Sequence, residues 1–345
     1  MDQDNLKRLR EKYGQTMGGD VFDPTFKKVA DLLFVNEGER SLPYAGIPTL
    51  LDAPQAIEPA LWPDLDIALV GVPMDLGVTN RNGARFGPRA VRAIERIGPY
   101  HHTLNVVPLA EAKVADIGDV PLRSRYSLDM CIEDIEKHFH KIVDAGVRPL
   151  SVGGDHSISH PILKAVGRDQ PVALVHIDAH CDTAGEYDYS KFNHGAPFRN
   201  AVLDGVIDPQ RTIQIGIRGS AEFLWEFSYD SGMTVIHAET FAEMGVEAVI
   251  AKAREVVGDG PVYVSFDVDA LDPTFAPGTG TPEVGGLTPR ECQALLRGLA
   301  GLNVVGGDVV EIAPQYDPST NTVQVGAQMM FEILCLMVVD QNSNP

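Results

Sequence analysis

Val172-Ala-Leu-Val-His-Ile-Asp-Ala-His-Cys-Asp182 is the stretch from which the rest of the chain can be read. Its first six residues form a short run rich in Val, Leu and Ile, closed abruptly by a cluster of acids and histidines. A run of this length and composition reads as a strand covered on both faces, with the polar cluster at its carboxyl end. The same character recurs at Ile67–Val72, Pro149–Gly153, Thr212–Ile217, Thr234–His237, Val262–Val268 and Val304–Val310. Helical patterns lie between most of these runs, at Pro88–Ile97, Leu128–Ala145, Ser159–Val166, Phe241–Val257, Pro289–Leu299 and Val323–Val339. Alternation of this kind predicts an α/β fold, a single domain with three αβα layers and a mainly parallel sheet. Chemistry in such a sheet belongs at the carboxyl ends of the strands.

The beginning of the chain is different. Asp2 to Tyr13 reads as a weak helix stopped at Gly14. A segment with Gly18, Gly19 and Pro24 follows, then an amphipathic patch from Phe26 to Phe34 and the turn-rich Leu42-Pro-Tyr-Ala-Gly-Ile-Pro48. Residues 1–60 are therefore expected to be an N-terminal arm, packed on the main domain or on a neighbouring subunit, and residues 61–345 the catalytic domain.

Composition narrows the partners. The chain of 345 residues has 48 acidic against 28 basic residues, a formal net charge of -20. Nucleic acid or an anionic membrane surface would repel it, so neither is expected as a partner. Four separated cysteines, Cys131, Cys181, Cys292 and Cys335, form neither a disulfide framework nor a zinc ribbon, which points to a reducing cytoplasm. The most apolar stretch, Met329 to Val339, is interrupted by Glu332, is short for a bilayer, and reads as a buried helix.

Three segments at strand ends carry the chemistry: Gly153-Gly-Asp-His-Ser157, His176-Ile-Asp-Ala-His-Cys-Asp182 and Ser265-Phe-Asp-Val-Asp269. Asp178, His180 and Asp182 alternate, as do Asp267 and Asp269, so in extended chain each set shares one face. The apolar runs before them would bury these carboxylates, at high cost unless a cation compensates. Neither motif contains Lys or Arg. Metal is then the natural partner, and oxygen-rich ligands with some imidazole suit manganese and related divalent ions. The carboxylates outnumber the needs of one small ion, which predicts a pair of divalent ions able to activate water at neutral pH. The other histidines, among them His138, His140, His101, His160, His176 and His237, have no ligand spacing and read as structural. Gly278 and Gly280 read as tight turns near the site, since no phosphate-loop motif accompanies them.

With these motifs the sequence resembles the ureohydrolase family, which includes arginases, agmatinases and guanidino-acid hydrolases. The resemblance extends through Ala276-Pro-Gly-Thr-Gly-Thr-Pro-Glu-Val-Gly-Gly-Leu287, Gly83-Ala-Arg-Phe-Gly-Pro-Arg89, Gln214-Ile-Gly-Ile-Arg-Gly219 and Asp308-Val-Val-Glu311, and spans about residues 66–340. It implies an arginase-like fold and two divalent metal ions per chain, Mn²⁺ by default with Ni²⁺ or Co²⁺ as alternatives. It implies that His156, Asp178, Asp182 and Asp267 hold one ion and that His180, Asp178, Asp267 and Asp269 hold the other, with Asp178 and Asp267 bridging. His194, in Asn193-His-Gly195, matches the family's histidine beside the substrate, a proton shuttle. Glu311 matches the acid that hydrogen-bonds the guanidinium. The leaving amine would take its proton through Asp182 or His194. The resemblance also implies a homo-oligomer, a trimer or hexamer. A mixed oligomer with a paralogous subunit is an alternative.

The expected reaction is hydrolysis of a guanidino compound to urea and an amine. The loop from Thr183 to Asn193 differs from that of arginases, and the chain looks more like agmatinases and guanidino-acid hydrolases. Lys191 in that loop offers a partner for a carboxylate tail and favours guanidinobutanoate or guanidinopropanoate. Glu186 and Asp188 would suit the cationic tail of agmatine, and Tyr187 and Tyr189 could pack the N-methyl groups of a substituted guanidine or a biguanide such as metformin. Formiminoglutamate hydrolysis and a catalytically silent partner subunit are the further alternatives.

Overall fold

The strands form where β-branched residues run without interruption, because each strand has helices on both of its faces. The computed structural model describes residues 2–16, 20–36, 39–40, 42, 44–94 and 97–339. Gly18, Gly19 and Pro43 of the N-terminal stretch lie outside the described residues. Phe34–Asn36 (β1) and Glu39–Arg40 (β2) make a small antiparallel pair. The main sheet comprises Ile67–Val72 (β3), Val114–Asp119 (β4), Arg148–Gly153 (β5), Val172–Ile177 (β6), Ile207–Ile217 (β7), Thr234–His237 (β8), Pro261–Asp267 (β9) and Asn303–Val310 (β10). Its order is β4-β3-β5-β10-β9-β6-β7-β8, and every neighbouring pair is parallel.

Alternate residues of each strand enter opposite helix layers. Leu69, Leu150, Val175 and Val264 face a core completed by Val246–Val257, Pro289–Arg297 and Asn321–Val338. Val70, Leu174 and Tyr263 face the other core, closed by Leu128–Asp144, Ser159–Val166 and Pro197–Leu203. The helix Asn321–Val338 is long and apolar enough to cross a membrane by length and composition, yet its apolar residues are buried in the first of these cores. Caps were set locally. Ser127 accepts from Met130 N at the start of one helix, and Thr288 with Glu291 forms a capping box at another.

Several elements depart from the sequence reading: Pro197–Leu203 is a helix it did not expect, and the helix expected over Pro88–Ile97 is Gly87–Arg92. The helix expected over Phe241–Val257 is two helices, Ala238–Met244 and Val246–Val257, divided at Gly245, whose φ of 76° ends the first turn cleanly. The strand β4 was hidden because Asp116, Gly118 and Asp119 break its apolar run. Arg92 supplies the compensation, with Nε 2.8 Å from Asp116 Oδ2 and Nη1 2.5 Å from Asp119 Oδ1. The chain before the sheet also covers this edge. Asp116 N donates to Pro54 O and Ala56 N donates to Asp116 O, while Leu50, Leu51 and Ala53 are buried in the core.

Candidate active site

The four central strands, β5, β10, β9 and β6, end side by side and deliver the polar motifs to one edge of the sheet. His156 follows β5, Glu311 follows β10, Asp267 and Asp269 close β9, and Asp178, His180 and Asp182 follow β6. The convergence is made by turns, which corrects the extended-chain reading. The strands stop at Ile177 and Asp267, and each aspartate folds the chain onto itself. Asp178 Oδ1 accepts from His180 N at 2.6 Å, and Asp267 Oδ1 accepts from Asp269 N at 2.8 Å. Asp182 and Glu311 both have left-handed backbone, φ 51° and 63°, which non-glycine residues adopt at a cost and which recurs at functional sites.

The side chains fall into two adjoining groups. In one, His156 Nδ1 lies 3.0 Å from Asp178 Oδ2, 2.9 Å from Asp182 Oδ2 and 3.2 Å from Asp267 Oδ2. In the other, His180 Nδ1 lies 3.4 Å from Asp178 Oδ1 and 3.2 Å from Asp269 Oδ2. Asp178 thus presents one oxygen to each group. Asp267 has a ligand-type contact to the first. All six residues are buried except His180, which is partly open to solvent.

The donor set fits metal on an observation independent of the motif. His156 Nδ1 is buried and has no hydrogen-bond partner, although three carboxylate oxygens surround it. Its other nitrogen is fixed as the donor. His156 Nε2 lies 2.8 Å from Ser265 Oγ, and that hydroxyl donates to Asp308 Oδ1 at 2.6 Å. With metal present the ring would be neutral and present a lone pair at Nδ1, the form that ligates metal. The proton affinities agree. Burial works against charging His156 and His180, but Asp182 and Asp269 respectively, with their neighbouring carboxylates, outweigh it and raise both imidazoles well above the ordinary value. Burial, then the charges of Asp269 and Asp178, raise Asp267 well above the carboxylate range, and Asp269 is pushed up to about 6 mainly by burial. This is a centre whose negative charge is taken up by protons wherever divalent cations do not compensate it.

His176, read as structural from the sequence, belongs to this centre. Its Nε2 lies 2.7 Å from Asp178 Oδ2, and its Nδ1 lies 3.1 Å from Gln214 Nε2, a donor. The imidazole therefore donates to Asp178 and orients it. The signal was present in the sequence as a histidine two residues before Asp178, with its side chain on the same face of a buried strand.

Beside the acids lies His194, held on three sides. Its N donates to Gly77 O at 2.9 Å, its Nδ1 lies 2.9 Å from Glu311 Oε1, and its Nε2 lies 2.7 Å from Thr79 Oγ1. Burial opposes charge on this ring. Glu311, then Asp155 and Asp182, outweigh it and raise the ring to about 9. Asp155, quoted in its motif but given no role by the sequence, anchors the loop that holds His194, since its Oδ2 accepts from Gly77 N at 2.7 Å. Glu311 Oε1 also accepts from His156 N at 3.0 Å, whereas its Oε2 is buried and unpaired.

A cavity of about 420 Å³ opens over the two groups, lined by His180, Asp182, His194, Asp267 and Asp269 among others. Glu311 lies behind His194, outside this lining. Of the tail-binding candidates Tyr187 and Glu186 line the cavity, and Asp188, Tyr189 and Lys191 do not. Tyr189 is fully exposed, and Lys191, also exposed, has its Nζ over the Phe192 ring at 5.6 Å. The structure does not bring either to the cavity wall. That wall is made instead by Phe223, Leu224 and Trp225 from the loop after β7. Sequence reasoning missed them, because an apolar triplet in a loop has no periodicity; its position just past a strand's carboxyl end was the available clue.

Comparison with known proteins places this geometry in a lineage. The arginase family model matches residues 65–336. The chain is 50% identical to guanidinopropionase of Pseudomonas aeruginosa over 298 residues, 85% of this chain and 92% of that one. It is 47% identical to a mitochondrial agmatinase of Gallus gallus over 277 residues, 79% of this chain and 81% of the other. Among solved structures, proclavaminate amidino hydrolase from Streptomyces clavuligerus superposes with a TM-score of 0.82 at 36% identity, over 86% of this chain and 99% of that one. The chain belongs to the arginase family. It is a metal-dependent hydrolase acting on guanidino compounds.

Proposed function

We propose that this protein hydrolyses a short guanidino acid, guanidinopropanoate or guanidinobutanoate, to urea and the corresponding amino acid. The observation that carries the reading is a pair of buried, unpaired atoms beneath the cavity wall: His156 Nδ1 among three carboxylates, and Glu311 Oε2 behind His194. The first calls for a cation of the protein's own, and the second would accept an N–H of a guanidinium once His194 gives way. The 50% identity to guanidinopropionase supports an acid tail.

His156, Asp178, Asp182 and Asp267 would hold one divalent ion, and His180, Asp178, Asp267 and Asp269 the other; manganese suits this oxygen-rich set. When bound, the pair would activate water as a nucleophile at neutral pH and stabilise negative charge developing on the attacking oxygen. The chain's own residues do the rest. Glu311 Oε2 and the net negative field of the acids select a planar cationic head. Water adds to the guanidinium carbon, the carbon–nitrogen bond to the tail breaks, and the departing amine takes a proton. His194 holds that proton at Nδ1, against Glu311, because its Nε2 accepts from Thr79 N at 3.1 Å, and Asp182 in the same cavity wall relays the one released by water. The tail lies against Phe223, Leu224 and Trp225, with Tyr187 at the rim. Glu186 and Glu283 near the cavity favour agmatine as the second reading, supported by the identity to an agmatinase.

The protein acts in the cytoplasm as a homo-oligomer, trimer or hexamer. Four free, buried cysteines support the first statement. Exposed Tyr44 and Ile47 on the N-terminal arm, at 75% and 77%, support the second. The test of the reaction is urea release from guanidinopropanoate, guanidinobutanoate and agmatine by protein of measured metal content, compared as kcat/KM. A preference for agmatine would put the second reading first.

A further inference from the structure

Arg218 stands at the end of β7, and its backbone is brought in between two glycines of positive φ, Gly216 at 101° and Gly219 at 85°. A side chain at Gly216 would meet Asp178 O at 2.9 Å, so the approach to the β6 loop is as close as backbone allows. Arg218 N donates to Ala179 O at 2.8 Å, and Ala179 N donates to Asp269 Oδ1 at 3.3 Å. The guanidinium is buried and makes no ion pair among the described residues. It donates instead to six backbone carbonyls: Gly216, Asp269, Ala270 and Leu271, then Glu283 and Val284. The shortest bonds, both 2.7 Å, run from Nη2 to Asp269 O and Glu283 O.

The second of these loops reaches the same aspartate by another route. Thr281 Oγ1 donates to Asp269 Oδ2 at 3.1 Å, and Glu283 Oε1 lies 3.9 Å from His180 Nε2. One planar cation therefore ties together the turn that carries Asp269, the loop that orients its carboxylate, and the end of the strand beside His180. By contrast, no contact of Arg218 reaches His156 or Asp182, which belong to the other group.

We infer that Arg218 is a positioning residue for the second metal ion alone: it fixes Asp269 and the 281–284 loop so that His180, Asp178 and Asp269 converge. The inference rests on the metal reading of Asp269. Its chemistry also explains why the residue is arginine. A rigid fork of N–H donors can bind several carbonyls in one plane, and an ammonium on a flexible stem cannot.

The test is Arg218→Lys, prepared in the full chain and loaded with Mn²⁺, with Asp269→Asn alongside. Ion content after dialysis, Mn²⁺ titration and the electron paramagnetic resonance spectrum are read together with the thermal midpoint. We expect Arg218→Lys to retain one tight ion and to bind the second about 10–100-fold more weakly. The spectrum of a coupled pair should give way to that of isolated ions. Asp269→Asn should show the same selective loss. If Arg218→Lys folds and holds both ions at wild-type affinity, or weakens both equally with its stability, the inference is overturned. If Asp269→Asn keeps two tight ions, the ligand assignment fails and takes the inference with it. Should Arg218→Lys not fold, Thr281→Val is read in the same way, because it removes the hydroxyl by which the loop that Arg218 fixes orients Asp269 Oδ2.

Discussion

An imidazole nitrogen buried among three carboxylates, with its partner nitrogen committed to Ser265, is placed as a metal ligand would be. Asp178 then holds a special place, since its two oxygens face different groups. Asp178→Asn should remove both ions as well as activity, and Asp267→Asn should do the same if it bridges as assigned. Metal content after exhaustive dialysis checks this, and two tightly held ions in either variant would refute the bridging role. His194 is different in kind: it touches Glu311 and Thr79 and none of the ligand carboxylates directly. His194→Phe should keep both ions and lower kcat by about 10²–10⁴. Loss of metal in that variant would make His194 part of the metal centre.

At the scale of elements, the helix Leu128–Asp144 meets the segment before the sheet through Trp62 and His138, whose rings stack edge-on at 5.4 Å. Burial, and secondarily Lys141, lowers His138 to about 4, so it stays neutral in the fold. The unfolded chain protonates this residue near 6.5, so between pH 6.5 and 4 it binds a proton that the native state refuses. Stability should fall as pH drops through that window, with a slope from this residue of at most about 1.4 kcal/mol per pH unit. His138→Phe should remove that part of the slope. Urea midpoints of both proteins at several pH values give the answer, and identical pH dependence would contradict the assignment. A second element to test is the loop after β3. Any side chain at Gly77 would sit 2.8 Å from Ser157 Oγ, so Gly77→Ala should shift Thr79 away from His194, reducing kcat while metal content is unchanged.

Elements buried on both faces were plain in the sequence, and β3, β6 and β8 begin and end where their apolar runs do. β4 was not, because its acids are neutralised by Arg92, which is distant in sequence and near only in the fold. The cluster of acids and histidines was legible because a buried carboxylate without a local cation advertises its need. The cavity wall and His176 were not, since their meaning depends on which strand ends lie next to each other. Lys191 shows the converse: a charge in the right loop whose side chain does not line the cavity.

Taken as a whole molecule, the protein carries its chemistry at the carboxyl edge of one parallel sheet, in a chain with a net charge of -20. That excess favours a cationic head group and makes a guanidinium the natural ligand of the acidic centre. What distinguishes the account from a metal-binding protein of the same fold is turnover. The decisive measurement is urea produced from guanidinopropanoate, guanidinobutanoate and agmatine by protein carrying two ions per chain. The account expects urea and the free amino acid in equal amounts, with kcat/KM higher for the guanidino acids than for agmatine. Protein that holds both ions and releases no urea from any of the three would contradict it.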